Sequence, residues 1–313
     1  TALAAALEEL GNVGEIVFAV RQPGKNGHYY VNFGNWCGNP NKWEYGRGGR
    51  LCRLDVRTGA LTTLIDDPQG GVRDLQVHYD GKKILFSYRP GKTHRYHLYE
   101  IHTDGTGLRQ LTDGPFDDIE PTYLPDGRIM FCSTRCNRII NCNLVQAALL
   151  FTCEGDGTDI RQVSPNNETE NTPWPLPDGR ILYTRWEYID RGIGGYKALW
   201  TTNPDGTGQM TFFGNLHPGV VMIDAKPLPG THEIISIFSP GHGRREHAGP
   251  VTLVDARAGP DARPFATRIS RGADFRDPCA VSADVYLVAR GQDLLLMDRR
   301  GRMQTVFTLP EAD

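Results

Sequence analysis

An internal repeat of about 50 residues constrains the fold of this chain more than any other feature of its sequence. One set of segments shares a P-D-G-like turn: HYDGKKILFSYR (78–89), YLPDGRIMFCSTR (123–135) and PLPDGRILYTR (175–185). A second set shares D-G-T: HTDGTGLRQLT (102–112), EGDGTDIRQVS (154–164) and NPDGTGQMTFF (203–213). Asp126 and Asp178 are 52 residues apart, as are Asp104 and Asp156. Short strands at this period predict an all-β fold, a β-propeller.

Each unit is predicted to contain four strands, named A to D along the chain. In the third unit they fall at about 119–124, 128–133, 147–153 and 159–163, with D-G turns whose glycine tolerates positive φ. The first unit has strands only near 15–20, 50–56 and 60–65, and so lacks its strand A. Five full units follow, at about 73–112, 118–164, 170–213, 222–268 and 275–308.

We therefore expect one propeller domain over residues 15–313, preceded by a short helical segment over residues 1–14. Six four-stranded blades are the preferred count. The missing strand A then comes from elsewhere, and a seventh blade contributed from outside the chain is the alternative. The long B–C loops and the D–A loops lie on one face, where variable loops on a rigid scaffold concentrate function.

Aligned strands predict two sets of charged residues at the mouth of the central channel. The starts of strand A align Asp74, Glu120, Thr172, Asp224 and Asp277. The ends of strand B align Arg21, Arg89, Arg135, Arg185 and Arg290. One interpretation is an acid–arginine ring that joins neighbouring blades. The other is a cation or polar ligand held at the channel mouth, because converging carboxylates repel one another unless a positive group lies among them.

The fifth unit carries the candidate metal ligands. His217 lies in a D–A loop, and His242 and His247 lie in the following B–C loop, SPGHGRREHAGPV. With Asp224 nearby, these side chains are suitable ligands for a divalent metal such as Zn, although Ca at the carboxylates is also considered. The alternative is that the histidines only bond to loop carbonyls.

Seven cysteines, an odd number, leave at least one thiol unpaired within the chain. The disulfide candidates are Cys136 with Cys142, Cys37 with Cys52, and Cys132 with Cys153. Inert buried thiols are the alternative. No C-x-x-C-H motif is present, so the chain has no covalent haem attachment site.

The aromatic side chains of the long loops allow two interpretations. They either pack the loops over the face or form a shelf that binds a glycan or small ligand; the residues concerned are Trp36, Trp43, Tyr45, Trp186 and Tyr188. Net charge −3 and a pI near 6.3 favour neither nucleic acid nor an anionic membrane as partner. No run of about 18 apolar residues suggests a membrane span.

The repeated P-D-G-[RK] and D-G-T segments resemble TolB-type propellers. The segments IEPTYLPDGRIMFCSTRCNR, TPWPLPDGRILYTRWEYIDR and MIDAKPLPGTHEIISIFSPGHG resemble, more narrowly, the propeller (middle) domain of the hydrazine synthase alpha subunit family, over roughly residues 15–310. The resemblance implies an exported, periplasmic setting beside haem-bearing segments, although no signal peptide begins the printed sequence. No catalytic residue is carried over, because the haem attachment motif is missing.

Three functions are therefore compared. The first is a binding and assembly scaffold that contacts other domains or subunits of a larger exported assembly through the long-loop face. The second is a metal-assisted lyase, hydrolase or redox enzyme around His217, Asp224 and His242. The third is a glycan or small-ligand binder. No G-x-S-x-G, H-E-x-x-H, P-loop or dinucleotide motif supports catalysis.

Overall fold

A computed structural model describes residues 4–6, 8, 10, 14–24, 26–31, 35–37, 39–190, 195–240 and 247–310. The described residues of the N-terminal segment are helical, as predicted, and Ala6 and Leu10 pack against Val285 and Leu296. Almost all of the remaining regular structure is β-strand. Among the described residues, no helix is long and apolar enough to cross a membrane.

The first sheet has three strands in the order β1–β4–β5. These are β1 (Glu15–Arg21), β4 (Gly49–Asp55) and β5 (Leu61–Asp67). The loop between β1 and β4 contains a small hairpin that the repeat does not predict, made of β2 (Asn35–Trp36) and β3 (Asn39–Trp43). The three strands predicted for this unit are present, and among the described residues no fourth strand joins their sheet.

The second and third sheets each have four antiparallel strands in chain order. The second contains β6 (Gly71–Val77), β7 (Lys83–Arg89), β8 (His97–His102) and β9 (Arg109–Gln110). The third contains β10 (Asp118–Tyr123), β11 (Ile129–Ser133), β12 (Leu149–Cys153) and β13 (Arg161–Gln162). The predicted strands of the third unit are all present, although the outermost is only two residues long.

The fourth and fifth groups of strands repeat this pattern and are joined to each other. The fourth contains β14 (Glu170–Pro175), β15 (Ile181–Glu187), β16 (Tyr196–Thr202) and β17 (Met210–Phe213). The fifth contains β18 (Val220–Pro227), β19 (Glu233–Pro240), β20 (Val251–Asp255) and β21 (Ala266–Arg268). A short parallel pairing of β16 with β18, at Tyr196–Val220 and Lys197–Val221, connects the two groups.

The sixth sheet, the last along the chain, contains β22 (Arg276–Ala280), β23 (Val285–Arg290), β24 (Asp293–Asp298) and β25 (Met303–Thr308). The first strand of each four-stranded group packs on the first strand of the next: β6 on β10, β10 on β14, β14 on β18 and β18 on β22. Apolar side chains of the middle strands fill the space between sheets, as Phe131, Phe151 and Leu149 do in the third. Burial of these alternating faces is the main stabilising term.

Candidate functional site

Five equivalent residues on the innermost strands share an unusual backbone conformation. Each has positive φ between 47° and 57°; they are Asp74, Glu120, Thr172, Asp224 and Asp277, which we call the channel residues. At each of them the pairing of the first strand with the second shifts register. A left-handed conformation costs a non-glycine residue about 1–2 kcal/mol. The alignment made from the sequence is thus reproduced as one repeated β-bulge.

The channel residues line a common cavity of about 270 Å³. Three cationic side chains join them there: Arg21 from β1, Arg73 from β6 and Lys226 from β18. The rest of the wall is largely apolar and includes Leu75, Trp174, Leu287 and Leu294. A cavity with converging polar groups above an apolar wall is the usual form of a binding site.

Hydrogen bonds link the channel residues from sheet to sheet. Glu120 donates its backbone N–H to Asp74 Oδ2 at 3.2 Å. Thr172 donates its N–H to Glu120 Oε2 at 2.6 Å, and Asp224 donates its N–H to Thr172 Oγ1 at 3.2 Å. We call this series the channel relay. In each step, the side chain of one bulge satisfies the backbone of the next.

Arg73 neutralises the acidic side of the channel relay. Its guanidinium, almost fully buried, lies 2.5 Å from Asp74 Oδ2 and 3.2 Å from Glu120 Oε1. Asn171 adds two further hydrogen bonds to the Glu120 carboxylate, both at 3.1 Å. Even so, burial and the neighbouring Asp74 raise the pKa of Glu120 to about 7.

The two other carboxylates of the cavity, Asp224 and Asp277, are less closely paired with cations than Asp74 and Glu120. Burial and the nearby Asp277 raise the pKa of Asp224 to about 7. Arg21 lies 3.7 Å from Asp74 Oδ1 and 3.6 Å from Asp277 Oδ2, and the Asp277 side chain remains 53% exposed. Burial would raise the pKa of Asp277, but Arg21, Lys226 and other cations hold it below its usual value.

Four of the arginines aligned from the sequence do not join the carboxylates as expected. Arg89 lies over Tyr45 and donates to the carbonyls of Gln69, Thr93 and Gly46. Arg135 pairs with Asp118, the first residue of β10.

The other two also lie away from the cavity. Arg185 stacks on Trp200, and Arg290 lies over Phe275. The ends of the second strands point to the loops, whereas the bulges point to the channel. Sequence reasoning missed Arg73 and Lys226, which flank the bulges by one and two residues.

The histidines are placed apart. His217 lies edge-on to Phe213, with Nε2 3.5 Å from the carbonyl of Asp261. His247 is near the channel, where burial and then Arg21, Arg73 and Arg276 lower its pKa to about 3 and favour the neutral ring. His242 lies outside the described residues. Within the described ranges, no three His, Cys, Asp or Glu side chains form a metal-binding group, so the metal set stays a prediction.

The aromatic residues of the loop between β1 and β4 cover neighbouring loops. We call residues 22–48 the crossing loop. Tyr45 bonds to His94 at 3.1 Å, Trp36 pairs with Val145, and Tyr30 stacks on Trp186 with ring centroids 4.9 Å apart. The loop-packing interpretation accounts for these contacts.

The glycan-shelf interpretation requires aromatic rings that face solvent. Trp186 and Tyr45 are buried, and Trp36, Trp43 and Tyr188 are half-buried. Two of the five proposed shelf residues are therefore out of reach of a ligand in solution.

All seven cysteines are free thiols, so none of the candidate disulfides is formed. Cys132 and Cys153 belong to different hydrophobic clusters, because they lie on opposite faces of the third sheet. Cys52 is buried in β4, whereas Cys37 is exposed and its N–H bonds to Leu144.

Cys136 and Cys142 contact different groups. Cys136 donates to the carbonyl of Ala147 at 3.4 Å, and Cys142 lies 3.9 Å from the Tyr30 hydroxyl. Burial raises the pKa of the Cys153 thiol to about 12, which makes it unreactive.

Repeated four-stranded antiparallel sheets around a lined channel define a protein of the β-propeller class. No family model matches the chain. The curated hydrazine synthase subunit alpha of Kuenenia stuttgartiensis is 29% identical over 122 residues, which is 39% of this chain and 14% of that protein.

Solved structures extend the similarity to nearly the whole chain. Kuenenia stuttgartiensis hydrazine synthase matches with a TM-score of 0.78 and 20% identity over 95% of this chain and 45% of that one. TolB from Acinetobacter baumannii matches with a TM-score of 0.60 and 14% identity over 93% of this chain and 62% of that one. The chain thus spans less than half of the hydrazine synthase chains that it resembles, and the structural matches establish the fold.

The channel relay predicts the effect of a substitution at Thr172. Thr172→Val keeps the shape but removes the hydroxyl that accepts the Asp224 N–H, so we expect a loss of about 1–3 kcal/mol in the free energy of unfolding. Thr172→Ser keeps the hydroxyl and is the matched control. Urea unfolding measures both, and equal stability of the two variants would show that the bond contributes nothing.

The raised pKa of Glu120 predicts a pH dependence. The folded state holds a proton on Glu120 that the unfolded state, with a pKa near 4.5, has released, so stability falls as pH rises from about 4.5 to about 7. We expect Glu120→Gln to remove up to about 3 kcal/mol of this fall. Chemical unfolding across that pH range is the measurement, and parallel curves for both proteins would contradict the assignment.

Contacts of the crossing loop predict local protection from proteases. Tyr30→Ala removes a ring stacked on Trp186, so residues 22–48 should open more often and be cleaved at least about tenfold faster. Tyr79→Ala, at a ring that is 62% exposed, is the control. Limited proteolysis with mass mapping distinguishes them, and unchanged cleavage in Tyr30→Ala would mean that the stack does not hold the loop.

Proposed function

We propose that this chain is a non-catalytic β-propeller module, closed as a ring of six blades in a single domain over residues 15–313. It binds a neighbouring domain or subunit of a larger exported, haem-containing redox assembly through its long-loop face. The relative that is similar over 122 residues is a subunit by name, and the match covers only a fraction of it. A module of this size within a longer polypeptide is in keeping with both facts.

Exposed apolar side chains on adjoining long loops are the observation that carries the proposal. Ile139 and Leu144, 49% and 59% exposed, lie between β11 and β12. Ile189 follows β15 and is 41% exposed, and Leu216 precedes β18 and is 55% exposed. Large apolar groups on one surface, surrounded by polar loops, are typical of protein–protein contacts.

The loops that carry these side chains are connected to one another. Arg138, in the loop between β11 and β12, donates to the carbonyl of Asn166 at 2.9 Å, and Asn166 donates to the carbonyl of Trp186 at 3.3 Å, so the loop before β14 joins that loop to the end of β15. Gly219 donates its N–H to the carbonyl of Gly195 at 2.9 Å, which joins the loops before β18 and before β16. A surface held in this way is preorganised, so little conformational entropy is lost on binding.

The channel carboxylates favour a scaffold over an enzyme. Asp74 and Glu120 are engaged by Arg73 and by the channel relay, so most of their charge is used to join sheets. The sequence has no C-x-x-C-H motif, so covalently attached haem does not fit this chain. In the proposed assembly, the haem belongs to the neighbouring domain or subunit.

The proposal is tested by site-specific photo-crosslinking in cells that make the natural protein. A photoreactive phenylalanine analogue at Leu144 or Ile189 should give crosslinks to a haem-staining polypeptide, or to a haem-bearing segment of the same polypeptide. The same analogue at Leu108 or Met303 is the control, because these exposed residues lie on an outer turn and on the outermost strand β25.

Crosslinks from Leu108 and Met303 with none from Leu144 or Ile189 would place the contact on the wrong face and overturn the proposal. Crosslinks from the long loops only to proteins without haem would retain a docking face but refute the redox setting.

A further inference from the structure

Among the described residues, the edge of β1 that borders the central cavity has no paired strand. We propose that an extended strand of a partner polypeptide pairs antiparallel with this edge of β1 and takes the position of the missing first strand. Its chemistry is specific: an acidic residue at its start, and an aspartate, glutamate or threonine two residues later. This inference does not depend on the proposed docking function of the long loops.

The pairing pattern shows which strand the first sheet lacks. Wherever a first strand pairs with a second strand, the register shifts at the channel residue. Every pairing of a second strand with a third is regular. The pairing of β1 with β4 is regular over all seven residues, so β1 is a second strand.

The packing of the next sheet supports this assignment. β10 packs on β7 and β8, the second and third strands of the preceding sheet. β6 packs in the same way on β1 and β4. Among the described residues, nothing pairs with the other edge of β1, which is the edge that a first strand would occupy.

The residues of β1 are less buried than those of the equivalent strands, which are paired on both edges. Its sequence EIVFAVR has five apolar residues, yet none of its seven residues is fully buried. The equivalent strands β11 and β15 are mostly buried, with all five residues of β11 inaccessible. Val17 and Ala19 pack on the cluster that contains Leu51 and also line the cavity, as do Leu287 and Leu294 of the sixth sheet. An apolar strand with a free edge is a template for β-augmentation.

The channel relay is interrupted at the same place. Glu120, Thr172 and Asp224 each receive an acceptor from the preceding sheet, but the described residues of the first sheet supply no channel residue to precede Asp74. Asp277 of the sixth sheet is half-exposed, and among the described residues its one ion pair is with Arg21, at 3.6 Å. A channel residue in an added strand would donate its N–H to Asp277, and its side chain would accept from the N–H of Asp74.

Charge complementarity indicates which type of residue begins the added strand. In the third sheet, Asp118 begins β10 and pairs with Arg135 at the end of the second strand, at 2.7 Å. In the fourth, Glu170 begins β14 directly opposite Arg185. Arg21 ends β1, and its ion pairs with Asp74 and Asp277 are long, at 3.7 and 3.6 Å. An acid two residues before the channel residue therefore suits this position.

The test uses a synthetic peptide, DDIEPTYL, with the sequence of residues 117–124, which contain β10, the first strand of the third sheet. Fluorescence anisotropy measures its binding to the full chain, with the scrambled peptide TDPYLEID as control. Amide hydrogen exchange should show β1 exchanging at least about tenfold faster than β11 and β15, and slowing by a similar factor when the peptide is bound.

Variants separate the proposed contacts from general damage. Arg21→Ala and Asp277→Ala should each weaken peptide binding at least about tenfold, whereas Arg290→Ala, the equivalent arginine of a sheet with four strands, should not. Should either variant misfold, the same pairing can be tested on the native chain with a second peptide. In this peptide, lysine replaces the second aspartate of DDIEPTYL, which corresponds to Asp118. It should bind at least about tenfold more weakly than the original peptide.

Three results would overturn the proposal. The first is slow exchange of the β1 amides without peptide, since the edge would then already be paired. The second is equal binding of the designed and scrambled peptides. The third is protection of β1 that rises with protein concentration alone, which would identify a second copy of the chain as the occupant.

Discussion

Hydrogen bonds between successive β-bulges are the interaction on which the rest of the structure depends. All five channel residues adopt a left-handed conformation that costs energy, and the side chains of Asp74, Glu120 and Thr172 each accept the backbone N–H of the channel residue in the following sheet. The strained backbone conformation and the hydrogen bond therefore depend on each other. The bulge orients the side chain toward the next sheet, and the hydrogen bond that this side chain accepts stabilises the next bulge. Sheets that share few backbone hydrogen bonds are thereby held at one spacing around the channel.

Burying this network has an electrostatic consequence. Carboxylates brought together in a poorly solvated channel need cations or protons, and both are present. Arg73 pairs with Asp74 and Glu120, and the pKa values of Glu120 and Asp224, raised to about 7, allow these two carboxyl groups to take up protons near neutral pH. The channel is therefore a structural element first. Only the side bounded by Arg21 and Asp277, next to the three-stranded sheet, keeps incompletely paired charge.

Much of the fold followed from the sequence because the repeat is local. The D-G turns and all four strands of the third unit are found within two residues of their predicted positions. The alignment of Asp74, Glu120, Thr172, Asp224 and Asp277 was also recoverable, since equivalent positions in a repeat take equivalent conformations. The role of Arg73 was not, because residues that flank a bulge are aimed by a backbone shift that no pattern of hydrophobicity encodes.

By itself, the sequence determined an all-β repeat, the residues that align at the starts of the first strands and the unit that lacks a first strand. Only the tertiary structure decided which partners those residues have. It directed four of the five aligned arginines away from the channel carboxylates, separated Cys132 from Cys153 by placing them on opposite faces, and stacked Trp186 on Tyr30. The physical reason is that periodicity fixes local conformation, whereas contacts depend on how distant segments pack, which is a property of the assembled sheets.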